Sequence, residues 1–457
     1  MWNQRCFRNL LLLAGLLLAG TAVAAPPLAG ELKGQIRWQG EVVLGGPVTV
    51  APTAVLTIAP GTTVRASSVE ALLAVQGVLI ATGSTRQPIV FAAPPGWKGI
   101  DFSEAREGSR FAFVRFDGAQ TAISTIATSF PVSNATFRNC GTAIKLVREA
   151  SLRIEDCLFE GNEIGIANEM KSSPQIRRNR FVGHKNTAIL VSHNSTGPIE
   201  GNTFERNKQG IGVLQKYGDR IVGNRFVGNE VGIFCNQTQN TPRMAENVFD
   251  GNQIGLVNFS FSYPLVENST FSGNDIGVRN DQYGSPKLTH NTFRGNKTAI
   301  YNYRKSNPEI ERNLVENNDL ALFCDYSSYP VVKNNNFLGN KMGVELGIYQ
   351  SADWEKRSGS KGFIQETAAA RKSQNPLIAK IPTTFNDYVD VGGNWWGVDT
   401  ALLADGKGKN LKIFYDRKDK PKVTYEGFGP DSYVLDEVRY TPWLKSPVKD
   451  VGPGKGR

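Results

Sequence analysis

Residues 159–166 read FEGNEIGI, and the pattern returns along the chain every 22 or 23 residues. Its leading aromatic forms a series: Phe137, Phe159, Phe181, Phe204, Phe226, Phe249, Phe271, Phe293 and Phe337, with Val315 standing in once. Self-similarity at this period describes a stacked solenoid, in which each unit hides its apolar face only against its neighbours. Three positions after the marker an Asn recurs (Asn162, Asn207, Asn229, Asn252, Asn274, Asn296, Asn318, Asn340), and His184 takes that place once. Asn tolerates left-handed turn geometry and stacked amides satisfy one another, so this series predicts a turn ladder.

Seven positions after the marker comes an aliphatic column, Ile144, Ile166, Ile211, Ile233, Leu256, Val278, Ile300, Leu322 and Val344. A third apolar column runs through Ile154, Ile176, Ile199, Ile221, Val266, Leu288, Ile310 and Val332. Short strands separated by Gly and Asn turns predict an all-β parallel β-helix of three narrow sheets, with N- and C-terminal caps. A leucine-rich horseshoe has a similar period, but its Leu consensus is absent.

Outward from these coils, residues 1–25 have the layout of a secretory signal: Arg5 and Arg8, an apolar run from Leu10 to Leu18, and a small-residue site ending at Ala24. This predicts export to the periplasm or beyond the cell, with cleavage near Ala24. No later run reaches the ~20 apolar residues of a transmembrane helix, so no membrane span is expected. The regular coils occupy residues 131–345, after an N-terminal cap and irregular first coils over 26–130. Residues 346–446 form an insertion and a capping region that contains GGNWWG (392–397), with Trp395, Trp396 and Trp443 as apolar cover. Residues 447–457 read as a flexible tail. Removing Arg5 and Arg8 leaves +8 of the formal +10. In an exported protein that balance favours acidic glycans, lipopolysaccharide or a membrane surface over nucleic acid.

The coils of the type Phe159–Ile166, the lead-in VLTIAPGTTV (55–64), WKGI (97–100), and NWWG with YTPWL near the end resemble the exported bacterial right-handed parallel β-helix proteins. That group is the carbohydrate-binding and sugar-hydrolase repeat family that includes NosD-like periplasmic proteins. The resemblance implies a right-handed winding and carbohydrate binding. It specifies a fold more than an activity, because members include lyases, hydrolases and epimerases.

Chemistry would appear as side chains clustered on one face of neighbouring coils, whose backbones lie ~4.8 Å apart. Coils six to ten are dense in aromatic residues eight to fourteen places after the marker, including Phe261, Tyr263, Tyr283, Tyr303, Tyr326 and Tyr329. Arg279, Arg304 and Lys305 lie among them. Together these nine residues form the candidate ligand-binding set, since aromatic rings stack on sugars and cations pair with acidic substituents. Asp281 and Asp325 share a column two coils apart and flank Tyr303, so they are the candidate catalytic carboxylates of an inverting hydrolase, which needs a separation of ~6.5–9.5 Å. A lyase would need a base with cations beside it. Tyr303, Arg304 and Lys305 are adjacent, but strand alternation keeps them from converging unless the segment is a turn.

NosD-like relatives raise copper, yet the few His, Met and Cys residues give no metal-ligand spacing, and no cofactor is expected. Cys235 and Cys324 share a column four coils apart. Cys140 and Cys157 are five residues out of phase on consecutive coils, so a bridge requires a turn that brings their Cα atoms within ~4.4–6.8 Å. No motif supports acyl or phosphoryl transfer. Two readings follow: a non-catalytic envelope or extracellular module that binds a glycan or a protein, and a polysaccharide hydrolase or lyase acting on the same face.

Overall fold

The computed structural model describes residues 27–238, 242–357, 385–405, 410–424 and 432–454. The signal segment expected over residues 1–25 lies outside them. From Leu28 onward the chain winds as a parallel β-helix. A representative coil runs Arg153–Glu155, Leu158–Glu160 and Ile164–Asn168. Each strand pairs in parallel with its equivalent one coil on: Ile154 with Ile176, Phe159 with Phe181, Ile166 with Ile189. The sheet of the first strand gathers 14 strands. The other two sheets join through Glu41–Val50, whose halves pair with Thr63–Ala66 and Leu72–Val75. The coil from Phe181 is one residue longer, which places Ile189 in the aliphatic column.

Inward-facing residues alternate with outward ones because the strand period is two, so each marker Phe is driven to the axis. From Phe116 to Phe293 the rings stack face to face with centroids 4.5–5.2 Å apart. Full burial of each ring contributes about 1.5–3 kcal/mol. Since each coil covers only its neighbours, stability builds up coil by coil.

The turns are held by amides. Asn229 Oδ1 accepts from the backbone N–H and the side-chain amide of Asn207, both at 2.9 Å, while its Nδ2 donates to Phe204 O at 3.1 Å and to Asn252 Oδ1 at 2.9 Å. A second ladder of the same design runs through Asn179, Asn202, Asn224 and Asn247, and resumes through Asn291, Asn313 and Asn335. Cys140 and Cys157 head the two ladders: their N–H groups donate to Asn162 Oδ1 and Asn179 Oδ1, each at 2.9 Å. They belong to different turns, and both are buried free thiols. Burial pushes them up, Cys140 to about 11 and Cys157 to about 12.

His184 fills a rung as a neutral imidazole. Its Nδ1 donates to Asn207 Oδ1 at 2.9 Å, and Nε2 accepts from Asn162 Nδ2 at 3.3 Å. Burial lowers its pKa to about 4, opposed by the Asn207 bond. A base held neutral in the fold stabilises fully above its unfolded value near 6.5, and that stability is lost as pH falls from there toward 4. His184→Asn is therefore expected to remove about 2–3 kcal/mol of acid destabilisation between pH 7 and pH 4.5, read as a smaller shift of the urea midpoint than in the parent. An unchanged shift would mean that this rung does not titrate.

After Met342–Leu346 the chain leaves the stack through α1 (Ala352–Arg357). GGNWWG then returns it. Asn394 continues the second ladder by accepting from Asn335 N at 2.9 Å, and Trp396 stacks on Phe337 at 4.4 Å in the marker column. Phe414–Tyr415 pairs with Val344 and Glu345 to complete this coil. Asp436 docks α1, accepting from Ala352 N, Gln350 Nε2 and Tyr329 Oη at 2.8–3.0 Å. Within the stretch read as a flexible tail, Val448 exchanges two hydrogen bonds with Asn336, and Gly452 N donates to Arg312 O.

Candidate functional site

Beyond several strands of the aliphatic column the chain turns through two consecutive left-handed residues. In coils six to nine these are Ser260–Phe261, Gln282–Tyr283, Arg304–Lys305 and Tyr326–Ser327, with φ between 47° and 67°. Such pairs recur at Arg148–Glu149 and Met170–Lys171, so they belong to the winding of the solenoid. They also end strand alternation. Adjacent side chains that a strand would send to opposite faces here reach the same surface, which is the turn condition required for Arg304 and Lys305 to converge.

Beneath these turns lies a third amide ladder. Asn258 Nδ2 donates to Asn280 Oδ1 at 2.9 Å, and Asn280 Nδ2 to Asn302 Oδ1 at 2.8 Å. Cys235 and Cys324 flank it in the same inward column. The amides stand nine places after three successive markers, a signal that the sequence carries.

On the surface, Phe261, Gln282, Tyr283, Arg304, Lys305, Tyr326 and Glu355 line an open groove of about 460 Å³. Phe261 and Tyr283 stack at 4.8 Å with ring planes 4° apart. Phe261 and Tyr283 stand in equivalent turns of consecutive coils, and Arg304 and Lys305 occupy that turn of the next coil. Tyr326 meets Tyr303 edge-on at 4.9 Å, and the Arg304 guanidinium lies 5.1 Å from the Tyr303 ring centroid. Lys305 Nζ lies 3.2 Å from Glu355 Oε2 and 5.4 Å from the centroid of Phe385. Gln282, Glu355 and Phe385 were not among the sequence candidates.

The remaining candidates sit apart from the groove lining. Tyr263 is buried. Tyr329 donates to Asp436 Oδ2 at 2.9 Å, on the docking side of α1. Arg279 pairs with Asp281 at 2.9 Å and lies 5.7 Å from the Tyr301 ring centroid. Asp281 is buried, and its Oδ1 has no hydrogen-bond partner among the described residues. Asp325 Oδ1 accepts from the N–H groups of Tyr326 at 2.9 Å and Tyr349 at 2.8 Å. Burial, only partly offset by those bonds, raises its carboxyl to about 6. Gly347 covers it so closely that a Cβ there would fall 2.3 Å from Asp325 Cγ. Burial also raises the Tyr301 phenol, with Arg279 opposing and Asp325 and Asp281 adding to the rise.

Residues 114–260 match the family described as periplasmic copper-binding protein (NosD), and residues 231–352 match the right-handed β-helix region. No curated protein matches the chain. Among solved structures it is similar to a mutant of a periplasmic alginate epimerase, at 13% identity over 67% of this chain and 77% of that one, TM-score 0.32. It is also similar to a mannuronic acid specific polysaccharide family 6 lyase from human gut microbiota, at 12% identity over 77% and 90%, TM-score 0.29. A pectate lyase matches at 15% identity over 63% and 72%, TM-score 0.23. Likenesses this distant carry no functional argument.

The described His and Cys side chains do not fit a copper centre. Among the described residues no three His, Cys, Asp or Glu side chains come together as a ligand set. The four cysteines among the described residues are buried. His184 is spent on the ladder, while His193 and His290 bond the neighbouring hydroxyls of Ser192 and Thr289. No helix among the described residues is long and apolar enough to cross a membrane. Parallel pairing carried through 14 strands of one sheet, together with the two family matches, makes this chain a right-handed β-helix repeat protein.

Proposed function

We propose that the protein is an exported, non-catalytic glycan-binding module, which takes a short stretch of polysaccharide in the groove of Phe261, Tyr283, Arg304, Lys305 and Tyr326. The supporting observation is the groove itself, where the stacked rings of Phe261 and Tyr283 share the lining with Arg304 and Lys305 of the next coil. Aromatic faces take up the apolar faces of sugar rings while polar groups at the rim meet the hydroxyls. The coil spacing of ~4.8 Å gives a lining of four coils a length of about 14 Å, comparable to two or three sugar units. The periplasmic description of the matched family supports the exported location.

A second reading, a polysaccharide hydrolase or lyase, draws on Asp325, whose carboxyl near 6 lies in the range of a general acid. Against it, Asp281 is tied to Arg279 and Asp325 lies beneath Gly347. A glycan array on the mature protein, followed by product analysis on every hit, separates the two. Binding without turnover is expected, and Tyr283→Ala should weaken it about tenfold. Turnover would favour the enzyme, and the absence of any glycan hit would leave a protein-binding role.

A further inference from the structure

Glu355 reaches the groove from α1, outside the repeat, and ends on two donors that the coils supply. Ser327 Oγ donates to Oε1 at 2.7 Å, and Lys305 Nζ lies 3.2 Å from Oε2. The pair is withdrawn from water, with side-chain exposures of 18% for Lys305 and 5% for Glu355. Tyr283 also faces it, its phenol pushed up to about 12 by burial and then by the Glu355 charge. A hydroxyl and an ammonium converging on the two oxygens of one carboxylate, beside aromatic rings, make a carboxylate receptor. Both donors come from successive turns of the repeat; only the carboxylate comes from the short helix docked on it.

We propose that Lys305 and Ser327 form a subsite for the carboxylate of an acidic sugar, and that Glu355 fills it as an internal stand-in until such a sugar displaces α1. This rests on the glycan-binding reading and adds to it the ligand's charge and a self-occupied resting state. Withdrawing Glu355 takes away the carboxylate that Lys305 Nζ meets at 3.2 Å in a site mostly shielded from water, so the opened subsite favours an incoming anion. A ligand that must first displace the stand-in binds with its affinity reduced by the fraction of molecules whose subsite is open. The flanking Tyr283 and Tyr326 faces favour a sugar over an acidic peptide.

The test is calorimetric titration of the mature protein with a hexameric oligogalacturonide and with its fully methyl-esterified form. Glu355→Ala is expected to bind the acidic hexamer about tenfold tighter than the parent, with no gain for the ester, and Lys305→Met should abolish the preference for the acid. Should Glu355→Ala loosen the C-terminal coil, seen as a lower melting temperature, Glu355→Gln gives the same comparison with the helix better preserved. Equal affinities in parent and both Glu355 variants, while Tyr283→Ala still weakens binding about tenfold, would overturn the stand-in and leave glycan binding intact. Tighter binding of the ester would overturn the carboxylate subsite alone. Binding of a polyglutamate peptide with none of either hexamer would overturn this inference, as would no binding of any probe; only with no hit on the glycan array as well would the glycan reading fall with it.

Discussion

Asn229→Ala is expected to lower the stability of the mature protein by about 3–5 kcal/mol, measured from urea unfolding followed by circular dichroism. The amide is buried in the middle of a ladder and bonds to both neighbouring coils. Its removal leaves Asn207 N–H without its acceptor, leaves the Asn207 side-chain amide with Phe181 O alone of its two acceptors, and takes one donor each from Phe204 O and Asn252 Oδ1. A buried donor or acceptor left unsatisfied costs about 1–3 kcal/mol, and here several lose partners at once. Gln253→Ala, one residue beyond the rung of the next coil and exposed, should change stability by no more than about 0.5 kcal/mol. Equal effects at the two positions would mean that the amides decorate the turns without holding them.

The second large effect has the opposite sign. Asp325→Asn is expected to stabilise the protein at pH 7 by about 2–3 kcal/mol, because burial lifts the carboxyl from 3.8 to about 6. An acid whose folded value is raised favours the protonated fold, so its contribution is most favourable below the unfolded value and is lost as pH rises from about 4 through 6. Asparagine keeps an oxygen for the N–H groups of Tyr326 and Tyr349, which both go to Oδ1, and carries no charge to desolvate. The gain should therefore be large at pH 7 and vanish near pH 4. The same variant weighs the two functional readings. If any glycan is turned over, loss of turnover in Asp325→Asn would mark a carboxylate held uncomfortably for chemistry, whereas a more stable protein with unchanged glycan affinity fits a binding module.

Much of the architecture was legible because a solenoid repeats its code. The Phe, aliphatic and first Asn columns each lie where their spacing placed them, and His184 sits in the rung its position implied. The second ladder was as visible, as Asn two places before the markers Phe181, Phe204, Phe226, Phe249, Phe293, Val315 and Phe337, and the same N-x-aromatic signature underlies Asn394 and Trp396. It was hidden there because Asn394 follows Asn335 by 59 residues instead of one coil length. The convergence of Arg304 and Lys305 turned on two left-handed residues that no alternation rule anticipates. Glu355 was beyond reach for a different reason. It lies in a non-repeating segment, and only the three-dimensional return of α1 brings it beside a residue 50 positions earlier.

Hydroxyl-radical footprinting of the protein, with and without a glycan identified on the array, tests the central claim most directly, since it reports which side chains the ligand covers. Protection confined to Phe261, Tyr283 and Tyr326, with Phe234 and Phe323, half-buried within the strands Val231–Asn236 and Leu320–Cys324, unchanged, is the expected result. Protection of Phe234 and Phe323 with the groove tyrosines still reactive would place the ligand on another face and contradict the assignment.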